Sequence, residues 1–233
     1  LVASTTFAAL AGVIANDLRL SGRFAPLEAR DLVSRPTTGS EIRFDEWRML
    51  RSDFIVVGHV EPDRAGIAVT YELFNVRTGQ PLLSQRLVSN ERGLRATSHR
   101  IADAIFERLT GIPGAFSTRI AYVAVEGRPP AQRYRLIVAD ADGFGPRTVL
   151  ESTEPIMSPA WSQDGQSLAY VSFEGKISAI YVQRLASGER RRVSARSGIN
   201  GAPAWSPDGR RLALTLSRDG NLEVEFEVDS NRN

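Results

Sequence analysis

The chain has no cysteine among its 233 residues, and only one of its 29 Lys and Arg residues is a lysine, Lys176. The lack of cysteine excludes disulfide bonds, cysteine-based metal sites and thiol catalysis. No apolar run approaches the ~20 residues that a membrane-spanning helix needs. A formal net charge of +2 gives no indication of a nucleic-acid-binding surface. The composition, 42% hydrophobic and 24% charged, suits a packed globular core.

Catalytic motifs are missing as well. The sequence contains neither a Gly-x-Ser-x-Gly nucleophile elbow nor a Gly-rich phosphate loop. The two histidines, His59 and His99, fall on a predicted strand and a predicted helix, and we interpret them as packed or surface residues. Asp140, Asp142 and Gly143 are similar to part of a calcium loop, but no glutamate follows at the required distance, so a turn is predicted. We therefore predict no catalytic residue, no metal ligand and no cofactor.

One short stretch occurs twice in the second half of the chain. Residues 159–169 are PAWSQDGQSLA and residues 203–213 are PAWSPDGRRLA, so each position recurs after 44 residues. Repeats of about 40–45 residues with short strands and Gly turns are typical of β-propeller blades. The Asp-Gly pairs predict tight turns, and Trp161 and Trp205 are suited to the space between blades. Because stacked repeats commonly present a binding surface, the pattern favours binding over catalysis.

The first part of the chain has a different pattern, which predicts an α/β domain. Apolar residues at helical spacing predict helices near 7–18, 41–50 and 94–109. Alternating or β-branched runs predict an antiparallel meander of three strands, at 54–60, 66–76 and 81–89. The Gly- and Pro-containing segment that follows the last helix predicts the boundary between an N-terminal domain, 1–112, and a propeller region, 113–233.

The propeller region contains incomplete blades. Strands are predicted at 119–126, 132–140, 147–150, 166–172, 177–185, 190–194, 210–216 and 222–228. The first unit has no Trp-Ser-x-Asp-Gly stretch, so we expect it to lack its innermost strand, and the third unit stops before its outer strand. About two and a half four-stranded antiparallel blades are expected, whereas a propeller closes with about four to eight. Since open sheet edges promote aggregation, we interpret the chain as a fragment that starts inside a domain of a longer protein.

Four segments resemble the TolB family, the propeller proteins of the Tol–Pal system. They are 16–22 in the first helix, 109–118 at the predicted boundary, and 155–161 and 200–209 in the repeats. A blade signature joined to this junction is more specific than the blade signature alone. The resemblance implies a periplasmic protein with an α/β N-terminal domain, whose first strand is missing here, and a six-bladed propeller.

The resemblance also implies partners. TolB proteins bind the peptidoglycan-associated lipoprotein Pal at the propeller face and TolA through the N-terminus, and they support outer-membrane integrity and cell division. The loops that contact Pal correspond here to eight residues ahead of the blade turns: Met157, Ser158, Pro159, Ile199, Asn200, Gly201, Ala202 and Pro203. The segment that would reach TolA is expected only in the full-length parent. Contact with the outer membrane is expected to be peripheral, through Pal.

A second hypothesis belongs to another class. The blades could be the propeller portion of a serine peptidase or other hydrolase whose catalytic domain lies outside this chain. A nucleophile elbow further along the gene would favour the hydrolase, whereas more Trp-Ser-Pro-Asp-Gly blades would favour the non-enzymatic scaffold.

Overall fold

Three α-helices and four antiparallel sheets form the part of the chain that the structure, a computed structural model, describes, residues 2–218 and 221–228. The helices are α1 (Val2–Leu20), α2 (Phe44–Met49) and α3 (Leu94–Thr110). The strands are β1 (Phe54–Asp63), β2 (Gly66–Asn75), β3 (Pro81–Ser89), β4 (Arg119–Glu126), β5 (Arg133–Asp140), β6 (Arg147–Ser152), β7 (Ile156–Trp161), β8 (Ser167–Ser172), β9 (Ala179–Arg184), β10 (Arg190–Ser194), β11 (Asn200–Trp205), β12 (Arg211–Arg218) and β13 (Asn221–Val228). The chain forms two compact units, Leu1–Thr118 and Arg119–Asn233.

The first unit is built on the sheet β1-β2-β3, which is the predicted antiparallel meander. Successive side chains of a strand point to opposite faces of the sheet, so both faces carry apolar side chains, and helices cover both of them. On one face, Leu10 of α1 and Ile101 of α3 pack in the same cluster as Tyr71 of β2. On the other face, Trp47 of α2 packs in a smaller cluster with Val57 of β1. None of the described helices is long and apolar enough to cross a membrane.

A buried polar contact joins helices α1 and α3. Nδ1 of His99 lies 2.6 Å from Oδ2 of Asp17, and the two side chains are only 3% and 2% exposed. Removing either group would leave the other buried without this partner, which costs free energy. The prediction that His99 is a packed residue is confirmed.

The second helix is shorter than predicted. The sequence predicts a helix over 41–50, but Glu41 closes a 3-10 turn that begins at Gly39. The Glu41 carboxylate accepts a hydrogen bond from the backbone N–H of Thr37 at 2.7 Å, which lowers the pKa of Glu41. The N–H of Gly39 donates to the Glu72 carboxylate of β2 at 2.9 Å. The predicted helix start is therefore wrong, because contacts with the sheet hold this segment as a turn.

The C-terminal end of the first unit is organised by α3. The carboxylate of Asp103 accepts hydrogen bonds from the backbone N–H groups of Phe116, at 2.7 Å, and of the next residue. The Phe116 ring packs edge-to-face on Phe106, with centroids 5.5 Å apart. Because of these contacts, the segment up to Thr118 belongs to the first unit. The division of the structure thus follows this segment, whereas the sequence predicts a boundary between 112 and 113.

The second unit consists of three sheets that follow one another along the chain. Their strand orders are β4-β5-β6, β7-β8-β9-β10 and β11-β12-β13, and all pairings are antiparallel. The middle sheet is a complete four-stranded blade. Among the residues that the structure describes, the first sheet lacks a counterpart of β7 and the third lacks a counterpart of β10. The predicted fold class, an α/β N-terminal region followed by part of a β-propeller, is confirmed.

Strand β8 links the three sheets because its alternate side chains face opposite neighbours. Leu168 and Tyr170 pack in a cluster with Leu136 of the first sheet. Val171, on the other face of β8, packs in a second cluster with Leu214 of the third sheet. All five side chains are at most 3% exposed. Burial of each such side chain contributes roughly 1.5–3 kcal/mol, so these two interfaces are the main cores of the second unit.

Candidate partner-binding site

The repeated Trp-Ser-x-Asp-Gly stretch forms the same turn in both blades. Ser162 donates its hydroxyl to the Asp164 carboxylate at 2.6 Å, and its Oγ accepts from the backbone N–H of Ser167 at 2.9 Å. In the next blade, Asp208 accepts from the Ser206 hydroxyl and from a main-chain N–H, and these bonds lower the pKa of Asp208. The aspartates of the repeat therefore stabilise turns, as the sequence predicts.

The two blade tryptophans pack between sheets. Trp161 contacts the cluster between the first and second sheets, and Trp205 contacts the cluster between the second and third. Nε1 of Trp205 donates to the carbonyl oxygen of Ala160 on β7 at 3.3 Å. Nε1 of Trp161 is buried and has no acceptor within the described residues, since the first sheet has no strand equivalent to β7. The guanidinium of Arg119 lies 4.7 Å from the Trp161 ring centroid.

A bulge recurs just ahead of each tryptophan. Ser158 and Pro159 of β7 occupy the space opposite one residue of β8, Tyr170, and the register shifts at this point. β11 has the same shift between Gly201 and Ala204. Ser158 and its counterpart 44 positions later, Ala202, have positive φ values of 50° and 45°. Such a conformation costs a non-Gly residue about 1 kcal/mol or more, and strain of this kind is concentrated at functional sites.

The eight residues predicted to contact a partner do not all lie at the surface, and most belong to strands. The sequence predicts loops, but only Ile199 precedes its strand, while the others lie in the bulged starts of β7 and β11. This part of the prediction is wrong because the residues on both sides of each bulge pair with β8 or β12, so the segments are strands. Met157 and Ile199 are exposed by 52% and 54%. Ser158 and Ala202 are also exposed, Pro159 and Gly201 are half-buried, and Asn200 and Pro203 are buried.

The buried side chain of Asn200 has a structural role. Its Oδ1 accepts from the Ser194 hydroxyl at 2.7 Å and from the Arg196 backbone N–H at 3.0 Å. Its Nδ2 donates to the Arg196 carbonyl oxygen at 2.8 Å, and its backbone N–H donates to Oγ of Ser178 at 2.8 Å. With 1% exposure, the side chain is unavailable to a partner and instead fixes the entry into β11.

The turn between β8 and β9 adds a residue that sequence reasoning missed. Ile177 is 53% exposed and precedes Ser178, whose hydroxyl ties this turn to the start of β11. The sequence predicts Ile177 inside a strand, but β9 begins only at Ala179. Comparison of the repeats could have found it, because the counterpart 44 positions later is the polar Asn221. We call the exposed apolar set Met157, Ile177 and Ile199 the strand-entry face.

A polar cluster lies beside the same turn. The Glu174 carboxylate accepts two hydrogen bonds from Arg190, both of 3.0 Å. The Arg190 guanidinium lies 4.6 Å from the Tyr181 ring centroid and 5.7 Å from that of Tyr170. Burial raises the pKa of Tyr170 to about 12, so this phenol is neutral at physiological pH. The charges of Glu174 and Arg190 neutralise each other, and the contacts of the cluster rigidify the middle blade.

Consecutive sheets, each joined to the next by a tryptophan from a repeated turn, define part of a β-propeller that follows an α/β unit. Comparison with known families gives the same two kinds of unit in the same order. The model of the TolB β-propeller domain matches residues 106–230, and that of the TolB amino-terminal domain matches residues 3–82. The chain belongs to the TolB family.

Individual relatives are similar over most of this chain. The Tol-Pal system protein TolB of Xylella fastidiosa is 50% identical over 195 residues, which are 83% of this chain and 44% of the relative. The TolB of Alcanivorax borkumensis is 46% identical over 91% of this chain and 49% of its own length. The crystal structure of TolB from Acinetobacter baumannii matches 96% of this chain and 56% of that chain, with 40% identity and a TM-score of 0.86. The chain thus spans about half the length of the relatives it matches.

Proposed function

We propose that the protein is a non-enzymatic interaction scaffold of the Tol–Pal system in the periplasm, and that its strand-entry face binds the lipoprotein Pal. The observation that carries the proposal is that Met157 and Ile199 are exposed apolar residues at the starts of β7 and β11, two consecutive inner strands that each contain the same strained bulge. Each side chain is more than half exposed although the surrounding sheets are well packed. Apolar anchors of this kind dominate the affinity of many protein interfaces.

The family supports the remaining parts of the proposal. Its relatives are named as Tol-Pal system proteins, so protein partners are expected for this chain. We propose that TolA binds through the N-terminal part of the full-length protein, and that Pal connects the protein peripherally to the outer membrane. Support of outer-membrane integrity and of constriction at cell division would follow from these two links.

Binding of the protein, produced in full as its gene encodes it, to the purified periplasmic domain of Pal tests the proposal. Met157→Ser and Ile199→Ser should each raise the Kd at least about ten-fold, which corresponds to about 1.4 kcal/mol. The matched control is Met49→Ser in the first unit, because Met49 is 77% exposed on α2 and lies in the other unit. It should bind as the unsubstituted protein does.

Two results would refute the proposal. One is the absence of a complex between Pal and the unsubstituted protein at micromolar concentrations. The other is unchanged affinity in both blade variants, which would place Pal elsewhere on the molecule.

A further inference from the structure

The only lysine of the chain occupies a strained backbone position. Lys176 has a φ of 62° in the turn between β8 and β9, and its N–H donates to the Phe173 carbonyl oxygen at 2.7 Å. A positive φ favours glycine, which has no Cβ to clash. The counterpart of Lys176, 44 positions later, is indeed a glycine, Gly220. Turn chemistry therefore does not explain why a lysine stands here.

This turn lies between the starts of two inner strands. At one end, the N–H of Phe173 donates to the carbonyl oxygen of Pro155, directly before β7, at 3.1 Å. At the other end, Oγ of Ser178 accepts from the N–H of Asn200, at the start of β11, at 2.8 Å. These two bonds place Lys176 between the segments that carry Met157 and Ile199.

The ammonium of Lys176 is available for a partner. The residue is exposed, and among the described residues no hydrogen bond or ion pair engages its Nζ. The nearest carboxylate in sequence, Glu174, is already held by two bonds from Arg190. A positive charge therefore stands uncompensated next to the exposed Ile177.

We propose that Lys176 extends the strand-entry face next to Ile177, and that the partner presents an acidic side chain to Lys176 beside an apolar side chain that packs on Ile177. This inference rests on the proposed function and adds the chemistry of the partner's contact surface. Charge at the rim of an interface acts mainly on the association rate and on the choice of partner. The strain at Lys176 fits this role, since residues kept for binding commonly reduce stability.

Three substitutions separate the charge from the backbone strain. Lys176→Gly removes both, Lys176→Gln removes the charge alone, and Lys176→Arg keeps the charge. Binding of the full protein to the periplasmic domain of Pal is measured from low to high salt. The Gly and Gln variants should raise the Kd about two-fold to five-fold at low salt. Their binding should also depend less on salt than that of the unsubstituted protein, because one screened attraction is lost. The Arg variant should retain most of the affinity.

Stability provides an independent readout. Lys176→Gly should leave the urea midpoint unchanged or higher, because glycine relieves the positive φ. A loss of affinity without a loss of stability cannot be attributed to misfolding. The control for net charge is Arg30→Gln in the first unit, where the side chain is 84% exposed, and it should leave both Kd and salt dependence unchanged.

The outcomes distinguish this inference from the proposed function. Absence of any complex with the unsubstituted protein would refute both. If the unsubstituted protein binds and Ile199→Ser weakens the complex, but Lys176→Gly and Lys176→Gln match the unsubstituted Kd at every salt concentration, only the role of Lys176 is refuted.

Discussion

Replacement of Asn200 by alanine should strongly lower the unfolding free energy of the second unit without removing any surface contact. The Asn200 side chain makes three hydrogen bonds of 3.0 Å or less, to Ser194 and to both backbone groups of Arg196, in a site that is 1% exposed. Alanine would leave the Arg196 N–H and carbonyl groups without these partners. The Ser194 hydroxyl would lose its acceptor as well.

The expected cost is about 3 kcal/mol, since each of these hydrogen bonds contributes about 1 kcal/mol net and a buried group left unpaired costs about 1–3 kcal/mol. For a unit of this size, with an m-value of about 2 kcal/mol/M, this corresponds to a fall in the urea midpoint of about 1.5 M. The bond from the Asn200 N–H to Ser178 persists in the variant because it is made by the backbone.

Urea unfolding followed by the fluorescence of Trp161 and Trp205 measures this change. The control is Ile199→Ala, whose side chain is 54% exposed, so its unfolding free energy should stay within about 0.5 kcal/mol of the unsubstituted value. The unfolding free energy of Asn200→Ala should lie clearly below that of Ile199→Ala and that of the unsubstituted protein. A cost of less than about 1 kcal/mol would refute the structural role of Asn200.

Two further predictions concern the repeated turns. Trp205→Phe should reduce the unfolding free energy by about 1 kcal/mol more than Trp161→Phe does. The reason is that, of these two residues, only Trp205 donates its indole N–H to a described acceptor. Equal losses of unfolding free energy in urea titrations would contradict this. The pKa of Asp208 is lowered in the folded state, so its ionised form adds stability above its usual pKa that is lost as the pH falls through the lowered value. Asp208→Ala should therefore lower the urea midpoint more at pH 7 than at a pH below the lowered pKa, and an equal deficit at both would exclude the charged form as the cause.

The regular elements were largely predictable because their patterns are local. The meander and the strands of the blades follow from period-two alternation, and α3 follows from its helical spacing. The start of α2 was not predictable in this way. The bond from Gly39 to Glu72 joins residues that are distant in sequence, and it holds as a turn a segment whose spacing favours a helix.

The candidate site was predicted less completely than the fold. The sequence identifies the segments ahead of each tryptophan, and two of their residues, Met157 and Ile199, are exposed apolar side chains. It does not separate them from Asn200, which follows the exposed Ile199 but is buried by partners on β10 and on the turn before β9. Ile177 was missed because a strand and a turn are difficult to distinguish at the end of an apolar run.

The repeat with a 44-residue spacing was sufficient to predict blades and their turns, because each Asp-Gly turn is closed by hydrogen bonds within a few residues of Ser162 or Ser206. Which faces of the blades are buried and which remain exposed is decided by packing between sheets, which no local pattern contains. The same tertiary packing gives Trp205 an acceptor and Trp161 none among the described residues. It also keeps Lys176 in a backbone conformation that its own side chain disfavours.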